Sequence, residues 1–124
     1  MQWLDAFFKL NAFKIKYKTK SGKKFLKYLN NSKWQVIDIR NPIEYSENCI
    51  KGTINISSFF FSISYYKKIS RSKKILLINR DFHSSLNIYN FLNKKRFKVY
   101  ILYKNFYDLI LDPEVNEITK TIIY

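Results

Sequence analysis

Apolar and polar positions alternate strictly over residues 13–19, FKIKYKT. Lys14, Lys16 and Lys18 face one way and Ile15, Tyr17 and Thr19 the other. That period of two belongs to a strand with one solvated face, and lysines along an exposed edge discourage sheets from joining edge to edge. Ser21 then offers an N-cap for a short helix over residues 22–29, with Phe25, Leu26 and Leu29 inward. Residues 34–39, WQVIDI, predict a second strand that ends at Arg40. Asn41 and Pro42 start a turn, and Pro42 opens a short helix over IEYSEN. Lys51 and Gly52 break the chain again before a third strand at residues 53–56, TINI. An aromatic-rich loop or helix follows through Ile69. Residues 74–78, KILLI, are almost continuously apolar, as a strand buried on both faces should be. Leu86, Tyr89, Phe91 and Leu92 have helical spacing within residues 84–94. A fifth strand is expected at 99–102 and a last short helix at 106–111, before Asp112 and Pro113. The final VNEITKTIIY reads as an edge strand or a loose tail.

Strands separated by helices argue for a single α/β domain: one mostly parallel five-stranded sheet with helices on both faces. Ligands of such sheets bind beyond the carboxyl ends of the strands. The loop 79–84 and the turn after Asp38 and Arg40 therefore fall in one neighbourhood. The chain of 124 residues suits one domain; no repeat or internal boundary is visible. Residues 1–13, MQWLDAFFKLNAF, form an amphipathic N-terminal segment. Trp3, Leu4, Phe7, Phe8 and Leu10 share a broad face opposite Gln2, Asp5 and Lys9. It is read as an interfacial helix, as a segment docked on its own domain or as a frayed terminus. No secretory signal pattern is present. The basic, acid-poor first thirty residues leave an organelle presequence open. No apolar stretch approaches the roughly 18 residues of a membrane span.

Composition narrows the chemistry. A single cysteine, Cys49, and a single histidine, His83, exclude an internal disulfide and a zinc cluster. They suit a reducing compartment, which points to the cytoplasm. The formal net charge of +14 favours anionic partners: nucleic acid, an anionic membrane surface, an acidic protein. Heavy use of Lys, Asn, Ile, Phe and Tyr beside only two each of Ala, Gly and Pro also fits biased codon supply. Such bias scatters lysine over any surface.

VIDIRNPIEYSENCIKGTINI resembles the rhodanese-family stretch D-V-R-x-x-x-E-[YF]-x-x-G-H-I-x-G-A-x-N-I. The matches are Asp38, Arg40, Pro42, Glu44, Tyr45, Ile50, Gly52, Asn55 and Ile56, in register without a gap. KILLINRDFHSSLNIYNFLNKKRFKVYIL is similar to the strand, active loop, helix and strand that follow in that family. Around LLINRDF and VYIL the chain also resembles the cysteine-less rhodanese-like proteins of low-GC Gram-positive bacteria, in which a membrane helix precedes the domain. The resemblance implies a rhodanese-like domain over residues 14–111, between the segment 1–13 and a C-terminal tail at 112–124.

In active rhodaneses the loop after the fourth strand begins with a cysteine that carries sulfur as a persulfide. Backbone N–H groups and the helix N-terminus lower its pKa and hold the anionic donor. Here that position is Asn79, which has no sulfur nucleophile. Arg80 matches a common family arginine, Phe82 stands where glycine is frequent, and Ser84 replaces a later basic residue. The resemblance thus implies a degenerate loop, Asn79, Arg80, Asp81, Phe82, His83 and Ser84, with no catalytic residue, cofactor or metal. Asp81 or Ser84 is expected to cap the following helix. Asp38, Arg40, Glu44 and Gly52 are implied as structural motif residues, with Arg40 the partner of the two acids. Arg80, Ser84 and Ser85 are candidates for binding an anion. Cys49 takes the family's histidine position, at the amino end of the third strand and roughly 16 Å from the loop on strand geometry. A pair of His83 with Ser84 or Ser85 lacks an orienting acid.

Three functions follow. One is an inactive rhodanese-like binding or regulatory module for a protein or small anion. Another is a sulfurtransferase, a persulfide carrier that uses Cys49 or a partner's thiol. The third is a basic adaptor that meets nucleic acid or an anionic membrane through residues 1–27, which would place the protein peripherally on the membrane.

Overall fold

A computed structural model gives the fold and describes residues 17–121. Five short strands, β1 (Thr19–Lys20), β2 (Trp34–Asp38), β4 (Ile54–Asn55), β5 (Lys74–Ile78) and β6 (Val99–Leu102), form one parallel sheet in the order β1-β6-β5-β2-β4. The centre is β5, paired with β2 from Trp34↔Lys74 to Asp38↔Ile78 and with β6 from Ile75↔Val99 to Leu77↔Ile101. Alternate residues of these strands feed two cores. Ile37, Ile75, Leu77, Val99 and Ile101 point to one face, where α3 (Phe61–Lys68) and α4 (His83–Lys94) bring Phe61, Ile88, Tyr89 and Leu92. Val36, Leu76, Ile78 and Leu102 point to the other, against Phe25 of α1 (Phe25–Leu29), Phe106 and Leu109 of α5 (Phe106–Leu109) and Val115 of α6 (Pro113–Glu117). Both faces are covered, which is why the central strands carry no polar alternation. Each fully buried Ile or Leu contributes about 1.5–3 kcal/mol.

The expected strand at 13–19 is found as Thr19–Lys20, the edge of the sheet beside β6. Tyr17 is buried and Lys18 exposed, as the alternation requires. Residues 1–16, with the amphipathic segment and the lysines of the basic start up to Lys16, lie outside the described residues. Ser21 accepts from the Lys23 N–H, as expected, and opens a 3-10 turn that runs into α1. The third strand is shorter than its pattern, Ile54–Asn55, because it is an edge strand whose Asn55 side chain turns back to donate to the carbonyls of Asp38 and Arg40.

The last stretch is neither an edge of the main sheet nor loose through residue 121. Asp112 caps α6, Val115 is buried, and β7 (Thr119–Thr121) pairs antiparallel with β3 (Asn48–Ile50) in a separate two-stranded sheet. Among the described residues no helix is long and apolar enough to cross a membrane.

Candidate functional site

The apolar run of β5 ends at Ile78, and Asn79 is the first residue beyond it. Asn79 is buried, held where the chain turns over Phe106, whose N–H donates to the Asn79 carbonyl at 2.8 Å. Its Oδ1 accepts from the Arg80 N–H at 2.7 Å. Its Nδ2 is buried without a partner among the described residues, a cost of about 1–3 kcal/mol.

Several further bonds lie within the loop. Asp81 accepts from the Ser84 N–H at 2.9 Å and from the Ser84 hydroxyl at 2.9 and 3.1 Å. The first of these bonds holds the Asp81 carboxyl below the usual carboxylate range. A carboxylate at a helix start also suits the helix dipole. Asp81, rather than Ser84, is thus the cap of α4. The Ser85 N–H donates to the Phe82 carbonyl, and the Ser85 side chain is buried. Phe82 turns toward the sheet and stacks on Tyr103, ring centroids 4.7 Å apart and planes 10° from parallel. The Arg80, Ser84 and Ser85 amides, which would face an anion in an open cradle, are therefore engaged by Asn79, Asp81 and Phe82. The Ser84 hydroxyl is bonded to Asp81 and Ser85 is buried, and among the described residues no hydrogen bond joins either to His83.

Beside this loop stands the motif of residues 38–48. Asp38 closes β2 with its side chain fully buried. Arg40 wraps onto it, Nη2 to Oδ2 at 2.9 Å and Nε to both oxygens at 3.1 Å. The guanidinium also donates to the Asn48 side chain and carbonyl, at 3.2 and 2.7 Å, and lies 3.4 Å over the Phe106 ring. Burial pushes the Asp38 carboxyl up, and the Arg40 bonds and charge pull it partly back.

Arg40 was expected to serve both acids, but it serves Asp38 alone. Glu44 lies in α2 (Pro42–Glu47) and forms a reciprocal cap with Asn41, 2.8 Å each way. It also accepts from the Tyr107 hydroxyl at 3.0 Å and faces Arg80 Nη1 at 3.6 Å. Burial and the Glu44 bond raise the Tyr107 phenol. The structure thus brings Asp38, Arg40 and Glu44 to the loop of residues 79–84. Gly52, with φ of 96°, turns the chain between β3 and β4, where its missing Cβ makes room for Leu29. Cys49 sits in β3 opposite Lys120, while the loop's own contacts run to Glu44, Tyr103 and Phe106.

Phe106 and Tyr107 were not anticipated from sequence. They join the two motifs, one under Arg40 and Asn79 and the other on Glu44. The only signal for them is the Asn105 to Asp108 cap that fixes where α5 starts. No group of three or more potential metal ligands occurs among the described residues.

Solved structures share this fold. A rhodanese-related protein from Thermoplasma volcanium matches with a TM-score of 0.68 at 20% identity, over 77% of this chain and 93% of that one. The CoADR-RHD protein of Bacillus anthracis, in its reduced form, matches with 0.71 at 22% identity, over 80% of this chain and 18% of that one. A full-length protein from Lactobacillus plantarum matches with 0.69 at 17% identity, over 95% and 98%. Identities this low speak for the fold alone. No curated protein matches the chain. A family model described as the rhodanese-like domain matches residues 21–109, the span that holds both motifs and four of the five strands of the main sheet, and the chain belongs to that family.

Proposed function

We propose that this chain is a rhodanese-like binding or regulatory module without sulfur transfer. The observation that carries the reading is Asn79, which by the register of the motif stands where the family's nucleophilic cysteine would be. A carboxamide cannot attack thiosulfate or carry a persulfide. Three of the loop amides, those of Arg80, Ser84 and Ser85, are already bonded to Asn79, Asp81 and Phe82. A fixed carboxylate at the start of α4 repels a second anion there. What the loop presents outward is Arg80, its side chain 62% exposed, between the carboxylates of Glu44 at 3.6 Å and Asp81 at 3.9 Å. A partner that meets this exposed ledge would do so through the outer face of the Arg80 guanidinium.

The test is thiocyanate formation from thiosulfate and cyanide, with wild type and Cys49→Ser in parallel. No turnover above buffer is expected from either. Turnover that persists in Cys49→Ser overturns the proposal. Intact mass after thiosulfate should show no sulfur-sized gain. A gain that disappears in Cys49→Ser would favour a persulfide on Cys49.

A further inference from the structure

The loops that enter β2, β5 and β6 meet at the amino ends of the strands, at the opposite edge of the sheet from residues 79–84. They enclose a basin of about 410 Å³. Its walls are six cations, Lys33, Arg71, Lys73, Lys74, Arg96 and Lys98, with Ser72 between them and no carboxylate. Biased codon use accounts for many lysines, but not for the way this basin is built. Gln35, buried in β2, accepts from the Ser70 N–H at 3.0 Å and donates to the carbonyls of Ser70 and Lys73 at 2.6 and 3.3 Å. That fixes the path of the loop bearing Arg71 and Lys73. Arg71 Nη1 donates to the Lys95 carbonyl at 2.9 Å, and its guanidinium lies 4.2 Å from the Phe97 ring. The Lys74 ammonium lies 5.5 Å from the Trp34 ring.

Arg96 has φ of 66°, the one non-glycine residue with positive φ among the described residues. That position after a helix favours Gly or Asn. An arginine there carries backbone strain and adds to the repulsion of five neighbouring cations. Such a cluster is stable against its own repulsion when an anion with several charges occupies it.

The ligand chemistry follows from shape and lining. At about 410 Å³ the space fits a compact anion. Phe97 is buried beneath Arg71 and no aromatic side chain lines the basin, so it offers no ring on which a base would stack. Recognition therefore runs through phosphate oxygens, which both guanidinium and ammonium donors suit. We propose that the amino-end basin binds a condensed phosphate chain, the chemistry shared by inorganic tripolyphosphate and the tail of a nucleoside triphosphate.

Titration calorimetry with sodium tripolyphosphate and with ATP, at about 150 mM salt, tests this. Saturable binding of tripolyphosphate is expected. Equal affinity for ATP would identify the phosphate chain itself as what is read. Tighter ATP binding would identify a nucleotide as the source. Lys73→Glu with Lys98→Glu should weaken binding at least about tenfold. Arg96→Asn should weaken it roughly three- to fivefold while raising the melting temperature of the free protein, because the strain is relieved. That rise separates loss of a contact from damage to the fold. Lys23→Glu with Lys27→Glu changes net charge equally at a distant exposed site and should change affinity less than about twofold. The proposal is overturned by no saturable binding up to about 1 mM, or by an equal loss in the distant pair. It is also overturned if short single-stranded DNA binds more tightly than tripolyphosphate and is lost with the same basin variants.

Discussion

Removing the Arg40 side chain should be among the most damaging single changes in this protein. Arg40→Ala takes away every side-chain donor of the Asp38 carboxylate except the Arg40 backbone N–H, which bonds Oδ1 at 3.0 Å. It also strips the Asn48 side chain and carbonyl of their donor and leaves the Phe106 ring uncovered. Breaking one side of a fully buried ion pair costs about 3–5 kcal/mol. That is a large part of the roughly 5–15 kcal/mol that holds a domain together. With a urea slope near 1.5 kcal/mol/M, the unfolding midpoint should fall by about 2–3 M.

The pH dependence follows from the sign of the Asp38 shift. Burial raises its folded-state pKa, so the neutral carboxyl is the form the fold favours. That contribution is fully present below the unfolded carboxylate value and is lost as pH rises through the folded one. Without the Arg40 side chain only the backbone N–H of residue 40 still opposes burial, and the folded value rises further. The deficit of Arg40→Ala should be largest near pH 8 and shrink toward pH 5. Replacing both partners, Asp38→Asn with Arg40→Met, should recover part of the loss, since no unpaired charge remains. Urea curves at both pH values read all of this. A midpoint shift below about 0.5 M, or a deficit that grows on acidification, would refute the reasoning.

Asp81→Ala should cost about 1 kcal/mol through the lost cap of α4. Because the Asp81 pKa is lowered in the fold, its contribution exists above the ordinary carboxylate value and disappears as pH falls through the folded one. Wild-type and variant urea midpoints should therefore converge in acid. Gly52→Ala meets a φ of 96° and Leu29 Cδ1 at 3.3 Å. It should cost about 1–2 kcal/mol and lower the melting temperature roughly 4–8 °C. Val115→Ala, at a buried site in α6, should cost about 1–3 kcal/mol; a neutral result would show that the segment after Asp112 is not part of the core. Asn79→Cys alone should take up little sulfur from thiosulfate, whereas Asn79→Cys with Asp81→Asn should take up about tenfold more by intact mass, because the repelling carboxylate is gone.

The sheet was legible because its residues report burial directly. KILLI has no polar alternation since helices cover both faces, and Leu76 and Leu77 feed different cores. Asp38 and Arg40 were legible as a motif, and the spacing of two brings the arginine back onto the carboxylate. A cap before α4 was legible as Asp81 or Ser84, and the bond from the Ser84 N–H selects Asp81.

Other features depend on residues far apart in the chain. Phe106 supports both Asn79 and Arg40, yet nothing distinguishes it among many aromatics until α5 is placed. The pairing of β7 with β3 joins TKT to NCI, two segments without strand periodicity. Glu44 gave no sign that its partners would be Tyr107 and Arg80. The amino-end basin draws on three loops spread between Lys33 and Lys98, so no single stretch of charge reveals it.

The central strand has a consequence of its own. β5 carries Lys74 at one end and runs directly into Asn79 at the other, with Ile75 to Ile78 sealed from solvent between them. Five extended residues span about 16 Å, well past the reach of direct side-chain coupling. The interior of the sheet therefore works as an insulator. Lesions at its two poles should sum without cross-talk, within about 0.5 kcal/mol, so each pole can be altered while the other is left as it was.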